Sequence, residues 1–267
     1  MMRNVLFPLA VVVLAASPAA AQISYPMIMS LEPVAAQVGQ VSTHTVRSRY
    51  SMFGAYDVLV SGDGVTGKII PPEMTDEEKA KKPELVTMQV EFTVAPGAMP
   101  GVRDFRIATP HGASTIGQLV IGREEVVRES GDNNTADKAT AVPAPATICG
   151  AIESAEAVDY FKFTAEQGQN LLVDCHADRI DSRMDATLVL YDGNGKELAR
   201  DRDTHYRDPL IHFVVDADGT YVVKVCDFLY EGGPQYFYRL SVTEKPHIDA
   251  VFPPAVIPGT RETYTLY

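Results

Sequence analysis

The side chains able to do chemistry in this chain are scattered, and their spacing argues against most reactions they could perform. Ser114 in "HGASTIG" has His111 just before it, but neighbours along one strand do not aim an imidazole at a hydroxyl. That pair reads as a turn and a strand edge. His205 and His212 flank "YRDPLI", and His176 follows Cys175. As isolated strand or loop histidines they read as surface or packed groups and not as metal ligands. Cys149, Cys175 and Cys226 form no C-x-x-C and no Cys/His cluster of zinc spacing. Asp178, Asp181 and Asp185 in "ADRIDSRMDA" make an acidic loop, read as solvated, with cation chelation as the alternative. G-x-S-x-G, H-E-x-x-H, P-loop and G-x-G-x-x-G signatures do not occur. What remains is aromatic. "DFLYEGGPQYFYRL" gathers Phe228, Tyr230, Tyr236, Phe237 and Tyr238 about a Gly-Gly-Pro turn. One side of that strand is core. Tyr230, with Tyr206 from "HYRDP", is the candidate exposed pair for a glycan or a protein fibre. Packing of an edge strand is the competing reading.

The elements that must position these groups are nearly all strands, so the fold class is all-β, as tandem β-sandwiches. Val86, Met88, Val90, Phe92 and Val94 alternate with Thr87, Gln89, Glu91 and Thr93, the period of a half-buried strand. Seven or so such segments in residues 22–122 indicate an immunoglobulin-like sandwich. Within it, "PPEMTDEEKAKKPE" departs from the pattern. Thr75 with Glu78 is a capping box, acids follow, and lysines lead to Pro83, which predicts a short surface helix. Residues 123–147 run from charged to small polar to Pro/Ala-rich, the composition of a linker. Residues 148–244 alternate again. Asp192-Gly193-Asn194-Gly195 and Asp218-Gly219 punctuate them as hairpin turns, giving an antiparallel sandwich of jelly-roll type.

Compartment and charge narrow the function. "MMRNVLFPLAVVVLAASPAAAQ" has Arg3, an apolar run and small residues at Ala19 and Ala21; residues 1–21 read as a cleaved signal peptide. The run is interrupted by Pro8 and too short to span a bilayer. The mature chain is therefore expected to be secreted or at the cell surface, without membrane insertion. A net charge of −12 excludes a nucleic-acid partner, whose phosphates need a basic face. Three cysteines permit at most one internal disulfide. Cys175 shares parity with Leu171 and Val173, and Cys226 with Val222 and Lys224, opposite to Val223 and Val225. Regular pleats would point these two sulfurs different ways, so buried thiols are the favoured reading and a Cys175–Cys226 bond the minor one.

The chain also repeats itself. Pro246–Tyr267 aligns without a gap on Pro26–Arg47, matching Ile28 with Ile248, Pro33 with Pro253, Gly39 with Gly259 and Thr45 with Thr265. Residues 245–267 are expected to begin a further immunoglobulin-like module, truncated here, because an isolated hairpin is marginal in water.

Four blocks in order, "GAIESAEAVDYFKFTAEQGQNLLVD", "DATLVLYDGNGKELARD", "ADGTYVVKVCD" and "GGPQYFYRLSV", resemble the bacterial pre-peptidase C-terminal (PPC) domain. The upstream part looks like an immunoglobulin-like, IPT/TIG-type module, most clearly in "PGVRDFRIATPHGAS". The resemblance implies a noncatalytic module that accompanies secreted peptidases and surface proteins. It implies calcium as the one cofactor to consider, since relatives in bacterial collagenases bind it with an acidic linker of pattern Glu-x-Glu-Pro-Asn-Asp-Thr and a carboxylate-bearing loop. Here "ESGDNNT" offers Glu129, Asn133 and Asn134 at matching places, while Gly131 replaces the second acid and Asp132 the proline. Glu156 and Asp159 would supply the loop side. Calcium wants several hard oxygens and carboxylate charge, and two ligands here lack that charge, so the expected affinity is weak. A turn at Asn133-Asn134 with Asp159 paired locally is the alternative. The expected function is a binding or adhesion module of a larger exported protein, engaging extracellular protein or polysaccharide. The alternative is an accessory region of a secreted peptidase or other hydrolase whose catalytic domain is a separate part of the same polypeptide.

Overall fold

The computed structural model describes residues 25–129, 131–245, 248 and 250–267; the expected signal peptide, residues 1–21, lies outside the described residues. The first sandwich is built from β1 (Ile28–Glu32), β2 (Ala35–Gln37), β3 (Val41–Ser48), β4 (Asp57–Val60), β5 (Val65–Ile70), β6 (Thr87–Val94), β7 (Gly101–Thr109), β8 (Gly112–Ala113) and β9 (Gly117–Gly122). One hydrogen-bonded path, β1-β3-β6-β5-β4-β7-β9-β2, wraps around a common core, with β8 appended to β7. On β6, Met88, Val90, Phe92 and Val94 are buried in alternation, as the sequence pattern requires. Phe92 meets Phe105 edge to face, ring centroids 5.4 Å apart. The interrupting helix is α1 (Asp76–Ala80), with Thr75 and Glu78 forming the reciprocal capping box and no residue buried.

The second sandwich consists of β10 (Val126–Arg128), β11 (Thr140–Ala141), β12 (Ala146–Ala151), β13 (Asp159–Ala165), β14 (Asn170–His176), β15 (Ala186–Asp192), β16 (Glu197–Asp201), β17 (Leu210–Val214), β18 (Gly219–Asp227) and β19 (Phe237–Thr243). Two five-stranded sheets face each other, β10-β12-β19-β14-β17 and β11-β13-β18-β15-β16. Between them lie Phe161, Phe163, Leu188, Leu190, Val223 and Tyr238. One expectation needs correction. The segment 123–147 is not a free linker, because it supplies one edge strand to each sheet: β10 runs parallel to β12 and β11 parallel to β13. Its polar composition suits an edge, where one side of the backbone stays in water.

The sandwiches touch through a small apolar cluster, Val34, Ala35 and Val120 of the first against Cys149, Ile180 and Phe237 of the second. This contact uses the outer face of the β10-β12-β19-β14-β17 sheet and leaves a cleft of about 260 Å³ alongside. All three cysteines are free and buried. Cys175 sits in the inter-sheet core, Cys149 in the contact between sandwiches, and Cys226 on the opposite side of β18 from Val223 and Val225. The pleat keeps the thiols apart. At the C-terminal end β20 (Val251–Phe252) pairs with β21 (Thr265–Leu266), and both are exposed. Gly259 takes φ +82°, matching Gly39 at +79° at the equivalent repeat position.

Gly117 tests the packing of the first core. A Cβ there would lie 2.4 Å from Cζ of Phe105 and 3.1 Å from Cγ2 of Ile28, and the buried Phe105 ring cannot retreat. Gly117→Ala is expected to destabilise the fold by about 1–3 kcal/mol, read from the urea midpoint. Gly97→Ala, where nothing lies within 4 Å, should leave it unchanged.

Candidate functional site

Two carboxyl groups meet at the mouth of the second sandwich. β10 delivers Glu129, whose backbone N–H donates to the Cys149 carbonyl (2.9 Å) and whose Oε2 accepts from the Ala151 N–H (3.1 Å). Asp159, buried at the start of β13, accepts from the hydroxyl of the fully buried Tyr238 at 2.7 Å. Gly150 makes room for both: a Cβ there would lie 2.5 Å from Glu129 Oε2 and 2.5 Å from Tyr238 Oη. Burial, reinforced by the charge of Asp159, pushes the Glu129 carboxyl up to about 8, against the pull of the Ala151 N–H. Burial raises Asp159 too, against hydrogen bonds with Tyr238 and Glu129. The charge of Glu153 pushes both the same way. Without a cation the pair therefore shares a proton at neutral pH.

Of the residues suggested by the resemblance, Glu129 and Asp159 lie together. Asn133 is buried, its carbonyl accepts from the Tyr160 N–H (2.8 Å), and its side-chain Nδ2 has no partner. Which way the amide is turned is a matter of assignment, so an oxygen can occupy that position. Asn134 is exposed. Glu156 is exposed at φ +65°, and its N–H donates to the Tyr230 carbonyl (2.9 Å). That ties its backbone to the aromatic loop. Glu153, Gly150 and Tyr238 were missed by sequence reasoning. A glycine between apolar strand residues in "ICGA" was the available signal, since such a glycine marks close approach of other groups. Among the described residues no group of three or more His, Cys, Asp and Glu side chains is disposed to hold a metal. Two protonatable buried carboxyls and an unsatisfied amide do fit one weakly held hard cation, which would displace the shared proton.

At the loop end of the same sandwich, buried aspartates hold the aromatic loops. Asp227 Oδ1 accepts from the Asp185 N–H (2.9 Å), and its Oδ2 accepts from the N–H groups of Leu229 (2.9 Å) and Glu231 (3.1 Å). Asp208, fully buried, accepts from the N–H groups of Ala177, Asp178 and Arg179 and from Nε of Arg179 (2.7 Å). Arg179 reaches on to Asp174 (2.6 Å), which His176 also contacts at 2.8 Å. Burial would raise the Asp174 carboxyl, but the His176 hydrogen bond and the charges of His176 and Arg179 hold it well below the usual range. Held this way, Phe228, Leu229 and Tyr230 are exposed, Tyr230 at φ +57°, and Tyr206 stands out at 88 % exposure and φ +61°. The acidic loop is partly paired: Arg207 meets Asp185 (3.3 Å) and Asp178 (3.7 Å). Ser114 Oγ accepts from the Ile107 N–H and donates to the Thr115 carbonyl, so it serves the strand turn.

A string of two packed β-sandwiches whose chemistry lies in strand faces and loop ends is the class this fold defines. Residues 157–226 match the family described as the Bacterial pre-peptidase C-terminal domain, and the chain carries that domain within its second sandwich. A probable subtilase-type serine protease of Deinococcus radiodurans is 43% identical over 75 residues, 27% of this chain and 10% of that one. The chain thus matches only a small part of that curated relative. Among solved structures, the pre-peptidase C-terminal domain of collagenase from Bacillus anthracis aligns over 41% of this chain and 99% of its own, at 19% identity and a TM-score of 0.34. SGBP-B from the Bacteroides ovatus mixed-linkage glucan utilization locus, in complex with a mixed-linkage heptasaccharide, aligns over 79% and 75%, at 10% identity and a TM-score of 0.25. Among the described residues no helix is long and apolar enough to cross a membrane.

The carboxyl pair makes stability depend on pH. Folding raises the Glu129 value from 4.5 to about 8, so its contribution is complete below 4.5 and lost as pH rises towards 8. Cation-free protein is expected to lose on the order of 2 kcal/mol of unfolding free energy across that window. Glu129→Gln, which keeps the acceptor for Ala151, should flatten the profile in chelator-treated melts. Asp208→Ala removes the acceptor of three backbone N–H groups and of Nε of Arg179 and is expected to cost about 3–5 kcal/mol, measured by urea denaturation.

Proposed function

We propose that this chain is a noncatalytic binding part of a larger exported bacterial protein, engaging extracellular protein or polysaccharide. The observation that carries this reading is the rigid presentation of exposed aromatic side chains. Phe228, Leu229 and Tyr230 project from a loop whose backbone is held by the buried Asp227, and Tyr206 from a turn closed by backbone hydrogen bonds between His205 and the buried Asp208. Apolar side chains displayed in water by a satisfied polar scaffold are what a docking surface requires. Tyr206 and Tyr230 are its contact residues. A second reading, an accessory region of a secreted peptidase, is favoured by the 43% identity with the subtilase-type protease.

Calcium belongs to the proposal as a structural ion held by Glu129, Asp159 and Asn133, tying the β10 edge to the start of β13. Bound there, it would supply positive charge in place of the shared proton. Calorimetry on the full chain should give a Kd on the order of 0.1–1 mM, abolished by Glu129→Gln and by Asp159→Asn; absence of heat at millimolar calcium would rule the ion out. For the contact residues, the Tyr206→Ala/Tyr230→Ala variant should weaken retention on insoluble protein fibres or polysaccharide by about tenfold. Undiminished retention removes them from the surface.

A further inference from the structure

The first sandwich covers the outer face of one sheet, so the outer face of the β11-β13-β18-β15-β16 sheet looks away from it. Strand register decides what lies there. Tyr160 stands beside Lys224, Lys224 beside Val189, and Val189 beside Arg200. The next row two residues along is Lys162, Val222, Tyr191 and Glu197. The inward positions of these strands are apolar, Phe161, Phe163, Leu188, Leu190, Val223 and Val225, so the rows named above form the solvent side. Cations and aromatic rings are interleaved on it. Lys224 Nζ lies 5.6 Å from the Tyr230 ring centroid, and the Arg202 guanidinium stacks 3.8 Å over Phe228 at the edge of the face.

Charge separates this face from the rest of the chain. The protein has 35 acidic and 23 basic residues, yet here Lys162, Lys224, Arg200 and Arg202 outnumber the acids. Glu197 is committed to Arg200 (3.0 Å) and Asp203 to Arg202 (2.7 Å). Among the described residues Lys162 and Lys224 have no carboxylate partner within ion-pair distance, and Lys224 is half-buried opposite Val189 in the strand register. A half-buried lysine beside phenol rings, outside ion-pair distance of any described carboxylate, is suited to meet an anion.

We infer that this sheet face binds an acidic polysaccharide. The tyrosine rings offer apolar platforms for the C–H faces of sugar rings. Lys162 and Lys224 meet the carboxylates or sulfates. Four strands give a flat, rigid strip about 14 Å wide, suited to an extended chain. The face is distinct from the Tyr206 loop. The inference rests on the binding-module reading and narrows its ligand to a polyanion that the remaining acidic surface repels.

The test is retention of the full-length chain, in chelator, on immobilised polygalacturonate and on neutral dextran. Retention on polygalacturonate alone is expected, released at about 0.5 M salt and weakened about tenfold or more in Lys162→Gln/Lys224→Gln. Tyr191→Leu, which keeps an apolar side chain but removes the aromatic ring, should weaken it severalfold. Circular dichroism and melting of each variant report folding. No retention on polygalacturonate, or retention unchanged in the double lysine variant, overturns the inference. Binding instead to phosphatidylglycerol vesicles with no polygalacturonate binding also overturns it. Retention on protein fibres or neutral polymer that depends on Tyr206 but not on Lys162 and Lys224 would leave the general binding reading standing while this face fails.

Discussion

Alternation along β18 governs most of what the second sandwich can do. A strand that must bury Tyr221, Val223 and Val225 between two sheets has no choice but to turn Val222, Lys224 and Cys226 outward. The same constraint acts on β13 and β15, and it aligns their outward residues in rows because the strands are in register. One decision about the core thus places the lysine, the tyrosines and the thiol of the outer face together. It also separates Cys226 from Cys175, whose sulfur belongs to the interior.

Burial of carboxylates is the second organising device, used in two opposite ways. Asp208 and Asp227 are surrounded by N–H donors, fixing loops that would otherwise carry unsatisfied backbone. Glu129 and Asp159 face each other with fewer donors than two charges need, so burial drives them toward sharing a proton. The first arrangement makes scaffold. The second leaves a site whose charge state depends on what enters it.

Period-two alternation made the strands legible, and Thr75 with Glu78 located the one α-helix of the described residues from its capping box alone. Parity of the cysteines anticipated three free thiols. The resemblance singled out Glu129, Asn133, Asn134, Glu156 and Asp159, and of these Glu129 and Asp159 lie together, because a motif carries spatial proximity that spacing along the chain does not. Glu156 adopts a left-handed backbone at a turn, and a turn of that kind leaves no trace in hydropathy. The edge strands β10 and β11 were hidden for a related reason: short, polar and paired in parallel to distant strands, they have the composition of a connection. The outer-face rows were equally invisible, since register between strands sets them.

The segment just before β10 and the segment just after β19 lie side by side, Glu124 forming a salt bridge with Lys245. The polypeptide therefore leaves the second sandwich where it came in. A unit with adjoining ends behaves as a cassette: a gene can gain or lose it while the flanking parts keep their spacing.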